Sequence, residues 1–407
     1  MAMIITLVLF LLCSGAGVGM PEPPPSAPDT GFEFIDTSIE NGSPLHWEID
    51  GDGVIHLFLL YDHQRGSPNR AAGHFHFQVQ ARPGSRLTFE FRNLDNVWNG
   101  KPGSVANELK AVSVSEDGRT WRALATRELP GKRIQLDLEM AGPRLFVARL
   151  EPYRISDLDR FLDEIRSRPL VGIEEIGATV EGRKLEIIRV GRLEAPWRVF
   201  IRARAHPWEP GGNWVVQGLI RRLIKGDPEA QAHLDRYCLF VLPMAGKDGV
   251  ARGRTRFNLA GWDLNRAWDK PAPADLAPEN HALERWIERM DARGLRPNLA
   301  LDLHNDGSGM LHLSRPDVPG LDAYLADMRR FEDLLRKHTW FTEGSTGGTF
   351  RNPGTLGEGW FERFKIPAAV LELNANTIAG KQGKLPLGAD WEEFGAGLAD
   401  VFSEYSQ

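Results

Sequence analysis

Cysteine and surplus positive charge are both scarce in this chain of 407 residues. It has 2 cysteines, too few for a small scaffold held together by disulfides. Its 49 lysines and arginines are outnumbered by 55 aspartates and glutamates, which gives a net charge of −6. A broad basic surface for nucleic acid is therefore not expected. Its residues are 42% apolar and 26% charged, which is typical of a globular protein.

The N-terminal apolar run, from Ile4 to Leu12, is too short to cross a membrane, which takes about 20 apolar residues. Small residues follow it, so we predict a signal peptide over 1–19, export to the periplasm or the medium, and no stable membrane span after its removal. An uncleaved anchor and a lipid-modified Cys13 are the alternatives. Removal would leave Cys238 alone in the apolar segment "RYCLFVLP", which favours a packed, inert thiol over a nucleophile.

Two domains are predicted after a proline-rich linker over 20–31. Short segments over 32–152 alternate apolar and polar residues between turn residues, which indicates an antiparallel β-sandwich. His74 and His76 share one face of a predicted strand there, either as surface residues or as metal ligands. Strand and helix patterns alternate over 153–407, which indicates an α/β domain whose sheet is covered on both faces.

Potential metal ligands stand where two predicted strands of the second domain end. His206 and Glu209 follow "WRVFIRARA", and His304 ends "NLALDLH". Ligands gather beyond the carboxyl ends of strands in open α/β sheets, and catalytic zinc often takes two histidines and a glutamate. The same H-x-x-E spacing recurs in His281 and Glu284, inside a helix where we expect both on a solvated face.

Polar residues near these ligands suggest supporting roles. Asp302 lies two residues before His304 on the same strand face, where it orients a ligand or makes an ordinary buried hydrogen bond. The segment "AGWDLNRAW" contains Asp263, Asn265 and Arg266. An arginine fork supplemented by an asparagine amide suits a carboxylate, although a loop held by its own hydrogen bonds is the alternative.

Two further charged positions stand out. Glu372 ends the apolar run "IPAAVLEL", and a buried lone carboxylate is costly unless it is paired or functional. It is therefore a salt-bridged structural residue or a general base for a water on the metal. The segment "RGRTRF" contains Arg252, Arg254 and Arg256, which by themselves indicate a solvated basic loop.

Taken in order, these motifs resemble the zinc metallocarboxypeptidases of the M14 family, nearest to the cytosolic, deglutamylase-type branch and its bacterial relatives. "HPWE" matches the H-P-G-E block except at Trp208, and 244–268 aligns without a gap to the block ending D-L-N-R-x-W. "LDLH" and "VLEL" match two later blocks, and the β region ending in "EPY" is similar too. The resemblance covers about 32–385 and implies a mixed sheet covered by helices, preceded by the β-sandwich.

By this resemblance, one zinc ion per chain is bound by His206, Glu209 and His304. Asp263 matches the family residue that hydrogen-bonds the first histidine ligand. The metal would have an open position for water.

The resemblance also implies which residues act on a peptide or protein C-terminus. Glu372 would be the general base and acid, and Arg256 would polarise the scissile carbonyl. Asn265 and Arg266 would hold the terminal carboxylate of the substrate.

This sequence departs from the family pattern in several places. Gly246 and Lys247 replace the usual Asn-Pro, and Phe350 stands near the position of a tyrosine found in digestive members. The pocket for the departing residue is expected within 347–363. There Arg351 or Arg363 receives an acidic side chain or lies on the surface.

Two rival functions use the same residues. One is a cell-wall amidopeptidase acting on peptides that contain diaminopimelate. The other is a binding protein that keeps zinc but has lost catalysis; all expected catalytic positions are filled, which argues against it. The oligomeric state and the residue removed are left open.

Overall fold

The computed structural model describes residues 28–65, 67–348 and 354–407. The predicted signal peptide and most of the predicted linker lie outside these residues, so export stays a prediction. None of the helices in the described ranges combines the length and the apolar composition that a membrane crossing requires.

The first part of the chain forms strands in two facing layers. Its twelve strands are β1 (Phe32–Asp36), β2 (Leu45–Ile49), β3 (Ile55–Leu59), β4 (His76–Ala81), β5 (Arg86–Arg92), β6 (Asp95–Trp98), β7 (Lys101–Ser104), β8 (Ala111–Ser115), β9 (Arg122–Ala125), β10 (Arg127–Leu129), β11 (Arg133–Glu139) and β12 (Arg144–Ala148). One five-stranded sheet has the order β1-β4-β12-β8-β9, and the other has the order β10-β11-β5-β3-β2. Only β3 and β5 pair in parallel among these described strands, so the predicted antiparallel sandwich is confirmed.

Alternating side chains of the two sheets form the core of this sandwich. Leu57, Phe77, Phe89 and Phe91 are among its fully buried members. A short 3-10 helix, Ala106–Glu108, and the β6–β7 hairpin project from the sheets toward the second part of the chain.

The second part is an α/β unit with a seven-stranded sheet. Its strands are β13 (Val171–Ala178), β14 (Lys184–Val190), β15 (Trp197–Ala203), β16 (Tyr237–Leu242), β17 (Leu299–Asp306), β18 (Leu311–Leu313) and β19 (Ala368–Asn374). Its helices are α1 (Ile155–Ile165), α2 (Gly211–Leu223), α3 (Pro228–Arg236), α4 (Lys247–Ala251), α5 (Pro278–Ala292), α6 (Leu321–His338), α7 (Leu356–Phe364) and α8 (Gly388–Tyr405), and Ala379–Lys381 forms a second 3-10 helix.

The sheet is mixed and covered on both faces, as predicted. Its order is β13-β14-β16-β15-β17-β19-β18, and the central strands β16, β15, β17 and β19 run parallel. One apolar cluster packs α1, α2, α6 and α8 on one face, and a second packs α5 and α7 on the other. Because both faces are covered, the central strands read as nearly continuous apolar runs.

This topology sets the place of the candidate site. The carboxyl ends of β15, β17 and β19 lie side by side at one edge of the sheet, and His304 of β17 pairs in register with Glu372 of β19. Side chains that are far apart in the sequence therefore meet beyond these strand ends.

Three predictions about single residues have different outcomes. Cys238 is buried in β16, and burial raises the pKa of its thiol to about 12, which fits a packed, unreactive side chain.

The prediction that His74 and His76 lie on the surface is wrong. Both are buried, because the segment that carries them lies between Asn41 on one side and Trp121 on the other.

Helices α2 and α8 cross closely because glycines stand at their contact. A Cβ at Gly395 would lie 1.9 Å from the carbonyl oxygen of Val215, and one at Gly218 would lie 2.0 Å from that of Glu392. Both obstacles are backbone atoms, so a side chain could fit only if the helices moved apart.

We predict that Gly395→Ala lowers the free energy of unfolding by about 1–3 kcal/mol because it forces α2 and α8 apart. Urea unfolding followed by circular dichroism measures the change. Gly142→Ala is the control, since a Cβ there meets no described heavy atom within 4 Å. Equal stability of the two variants would contradict this account of the helix contact.

Candidate active site

The three predicted metal ligands meet at the carboxyl ends of β15 and β17. The Nδ1 atom of His206 lies 2.9 Å from Glu209 Oε1, and the Nδ1 atom of His304 lies 2.7 Å from Glu209 Oε2. The two Nδ1 atoms are 3.1 Å apart. All three residues are at most 3% exposed.

Local backbone features turn the chain here. After β15, Arg204 has a left-handed φ of +58°, and His206 and Glu209 occupy the turn that leads into α2. A Cβ at Gly211 would lie 2.7 Å from the Asn305 amide, so the first turn of α2 can approach β17 only without a side chain.

Two carboxylates fix the tautomers of the histidines. His206 Nε2 donates to Asp263 Oδ1 at 3.1 Å, and His304 Nε2 donates to Asp302 Oδ2 at 2.7 Å. In the neutral rings the lone pairs are then on the Nδ1 atoms, and both point toward Glu209. Two lone pairs and a carboxylate at this separation require a positive charge among them.

This arrangement fits zinc. Tetrahedral zinc with bonds of about 2.0–2.1 Å holds neighbouring ligand atoms about 3.3 Å apart. The three ligand atoms have nearly this spacing, and two imidazoles with one carboxylate are a common donor set for catalytic zinc. His206, Glu209 and His304 are therefore the residues that would hold the metal.

The pKa shifts of the ligands also indicate that the site requires a positive charge. Burial alone would raise the pKa of Glu209, but His206 and His304 hold that pKa below its ordinary value. Burial alone would lower the pKa of His304, but Asp302 and Glu209 raise it well above its ordinary value. Without metal the site thus attracts a proton, and a cation competes for the same position.

A buried ion pair supports Asp302. Arg202 of β15 lies opposite Asp302 of β17 in register, and its Nη2 donates to Asp302 Oδ2 at 2.5 Å. Both side chains have 0% exposure. The same guanidinium donates to Asn265 Oδ1 at 3.2 Å. Sequence reasoning missed Arg202, although an arginine inside the apolar segment "WRVFIRARA" was the available signal.

Glu372 lies beside the ligands on the neighbouring strand β19. Its Oε2 has no hydrogen-bond partner among the described residues, and it lines the same cavity as His206 and Glu209. Burial, reinforced by Asp306, raises the pKa of Glu372 well above its ordinary value. A cation held by the three ligands would lower that pKa again.

Cationic and amide groups also line the cavity. Arg256 Nε donates to Asp263 Oδ2 at 2.8 Å. Arg266 donates from Nη1 to the carbonyl of Asn265 at 2.8 Å and from Nη2 to Asn99 Oδ1 at 3.2 Å. The predicted substrate-binding residues Asn265 and Arg266 therefore line the same pocket as His206 and Glu209.

Both parts of the chain line this cavity of about 290 Å³. The sandwich contributes Asn69, Trp98, Asn99 and Glu108. Burial raises the pKa of Glu108 to about 7, and its carboxylate accepts from Arg149 Nη2 at 2.9 Å. Sequence reasoning assigned no role to these residues, because the sandwich motifs name no ligand.

Other predictions near the site need correction or lie outside the described residues. Glu284 is not on a solvated face: it is 4% exposed, because Arg363 Nη1 donates to it at 2.5 Å. Arg363 therefore has a structural partner, and neither the acidic-substrate role nor a free surface position describes it. Phe350 and Arg351 lie outside the described residues.

Comparisons with known proteins agree with the motifs. Residues 158–306 match the M14 peptidase family, described as zinc carboxypeptidase. Human cytosolic carboxypeptidase 1 is 36% identical over 106 residues, which are 26% of this chain and 9% of that protein. Cytosolic carboxypeptidase 6 of Caenorhabditis elegans is 31% identical over 148 residues, 34% of this chain and 32% of that protein.

A solved structure has the same fold over most of the chain. The metallo-carboxypeptidase from Burkholderia cenocepacia aligns with a TM-score of 0.78 and 23% identity, covering 91% of this chain and 98% of that one. The matches to the curated relatives span less than a third of their lengths. The predicted resemblance to the M14 zinc carboxypeptidases is thus confirmed over residues 158–306.

We predict that His304→Ala loses the bound metal, because it removes one of three ligands from a site with a buried carboxylate. Elemental analysis after dialysis against zinc measures the content per chain. His281→Ala is the matched control, since it changes the first residue of the other H-x-x-E pair. One tightly bound zinc in His304→Ala would remove His304 from the ligand set.

Proposed function

We propose that this M14 domain is a zinc-dependent carboxypeptidase that hydrolyses the last amide bond of a peptide with a free C-terminal carboxylate. The observation that supports the proposal is that Arg256, Arg266 and Glu372 line the same cavity as His206 and Glu209. Export through residues 1–19 belongs to the proposal and rests on the sequence alone.

Arg266 suits the terminal carboxylate of the substrate. Its guanidinium is already oriented by Asn265 and Asn99, and Asp263 and Glu372 are near enough to act on it electrostatically. A planar fork that is held in place binds a carboxylate with little loss of side-chain entropy. Binding the carboxylate there selects the terminal amide bond for reaction.

Arg256 suits the carbonyl of that bond. It is 8% exposed, and Asp263 holds its Nε, so its other nitrogens are directed by a fixed partner. A preorganised donor stabilises the oxyanion as negative charge develops.

Glu372 suits proton transfer. Its Oε2, which has no described hydrogen-bond partner, can accept a proton from the attacking water and deliver it to the departing amine. When bound, zinc supplies Lewis-acid chemistry, polarising the carbonyl and making the attacking water more acidic.

A neighbouring cavity offers room beyond Arg266 for the departing residue. Its volume is about 450 Å³, and it shares Arg266 with the first cavity. Arg65, Trp262 and Lys270 are among its lining residues. A side chain leaving with the terminal carboxylate would enter it.

We predict that the zinc-loaded protein removes single residues from free C-termini, and that Glu372→Gln keeps zinc but lowers kcat by about 10²- to 10⁴-fold. Mass spectrometry of a peptide pool, with each peptide in free and amidated form, measures the cleavage and ranks the residues removed. Full activity of Glu372→Gln would exclude it from proton transfer. A zinc-loaded protein that cleaves no peptide would favour cell-wall substrates or a binding role.

We predict that Arg266→Ala lowers kcat/KM for free peptides by about 10- to 100-fold, because it removes a charged hydrogen-bond donor to the carboxylate. Steady-state kinetics on matched free and amidated peptides measures the effect. The control is Arg252→Ala, an exposed arginine paired with Glu181. Equal losses on both peptide forms would refute carboxylate binding by Arg266.

A further inference from the structure

The loop that carries Arg256 is held by the β-sandwich. Residues 255–257 belong to no helix or strand, yet three of their backbone N–H groups donate to the carboxylate of Asp62. The distances to Asp62 Oδ2 are 3.1 Å from Thr255, 2.6 Å from Arg256 and 3.0 Å from Phe257. Asp62 follows strand β3 in the sandwich and is 7% exposed.

Thr255 joins this loop to both parts of the chain. Its Oγ1 accepts the backbone N–H groups of Gly73 and His74 at 3.2 Å each. Its carbonyl accepts the N–H of Trp208, within the turn that carries His206 and Glu209, at 3.2 Å. The loop is therefore fixed between the sandwich and the ligand turn.

The charged side chains of Arg256, Asp263 and Arg266 also have partners in the sandwich. The ring of Trp98 lies 5.4 Å from the guanidinium carbon of Arg256. Asn69 Nδ2 donates to Asp263 Oδ2 at 3.1 Å. Arg266 contacts the sandwich through Asn99, so all three of these charged residues touch the first domain.

We propose that Asp62 is a positioning residue for Arg256, and that the β-sandwich is a structural component of the active site. This proposal rests on the proposed function, because it concerns how the carbonyl-polarising group is held. A carboxylate that accepts several backbone N–H groups makes strong, charge-assisted hydrogen bonds. No regular secondary structure holds the loop, so its position depends on these bonds together with those made by Thr255.

The kinetic consequence follows from the sensitivity of preorganised groups to displacement. A shift of about 1 Å in such a group can cost about 100-fold in rate. In Asp62→Asn one acceptor oxygen becomes a donor, which cannot pair with an N–H. We therefore expect kcat to fall by about 10- to 100-fold, with KM changed far less because Arg266 still binds the carboxylate.

The first experiment compares Asp62→Asn with Glu90→Gln in steady-state kinetics. Glu90 is an equally buried sandwich carboxylate, but its partners Arg92 and Arg133 both belong to the sandwich. A general loss of sandwich stability would affect both variants alike. A kcat loss confined to Asp62→Asn supports positioning, and equal losses overturn it.

A double-mutant cycle with Arg256→Ala then tests whether Asp62 acts through Arg256. If it does, Asp62→Asn lowers kcat no further in the Arg256→Ala background. Multiplication of the two effects would overturn the proposal. If Asp62→Asn does not fold, Asp62→Glu, which keeps the charge but moves the oxygens, carries the same cycle.

Hydrogen exchange provides a readout that does not need catalysis. The amides of Thr255, Arg256 and Phe257 are expected to exchange at least about tenfold faster in Asp62→Asn, while amides of the sandwich core keep their protection. Unchanged exchange would overturn the proposal even in an active enzyme. Faster exchange in a protein that cleaves no peptide would show that Asp62 holds the loop and that the proposed function has failed.

Discussion

The convergence of two imidazole Nδ1 atoms on one buried carboxylate is the constraint on which the site depends. It exists because Asp263 and Asp302 accept hydrogen bonds from the Nε2–H groups of His206 and His304, which leaves the Nδ1 lone pairs directed at Glu209. Each of these aspartates would be costly to bury alone, and each is compensated by an arginine, Arg256 or Arg202. The geometry of the ligands thus depends on the buried ion pairs behind them and is not a property of the ligands alone.

The sheet explains why these groups meet. Parallel strands bring their carboxyl ends to one edge, so β15, β17 and β19 contribute the ligand turn, His304 and Glu372 respectively. The other groups come from loops, and loops need support from elsewhere. The sandwich provides it through polar contacts to Asp263 and to the loop of Arg256, so both domains contribute to the candidate site.

Much of the fold and part of the site could be predicted from the sequence. Continuous apolar runs ending in His or Glu place ligand-type residues at strand ends, and ordered motifs identify the family. Asp62 and Asn69 could not be found this way, because their importance comes from contacts nearly 200 residues away in the chain. Glu284 was misplaced for a similar reason: a helical wheel gives its direction, but not the presence of Arg363 from another helix.

The central claim is that one zinc ion, held by His206, Glu209 and His304, is needed for Glu372 and Arg256 to act in catalysis. Titration of the metal-free protein with zinc, with bound metal and cleavage of a free peptide measured in each sample, tests it most directly. We expect activity to rise in proportion to bound zinc and to saturate at one equivalent per chain. Peptide cleavage without metal, or a protein that is saturated with zinc and inactive on every free C-terminus, would contradict it.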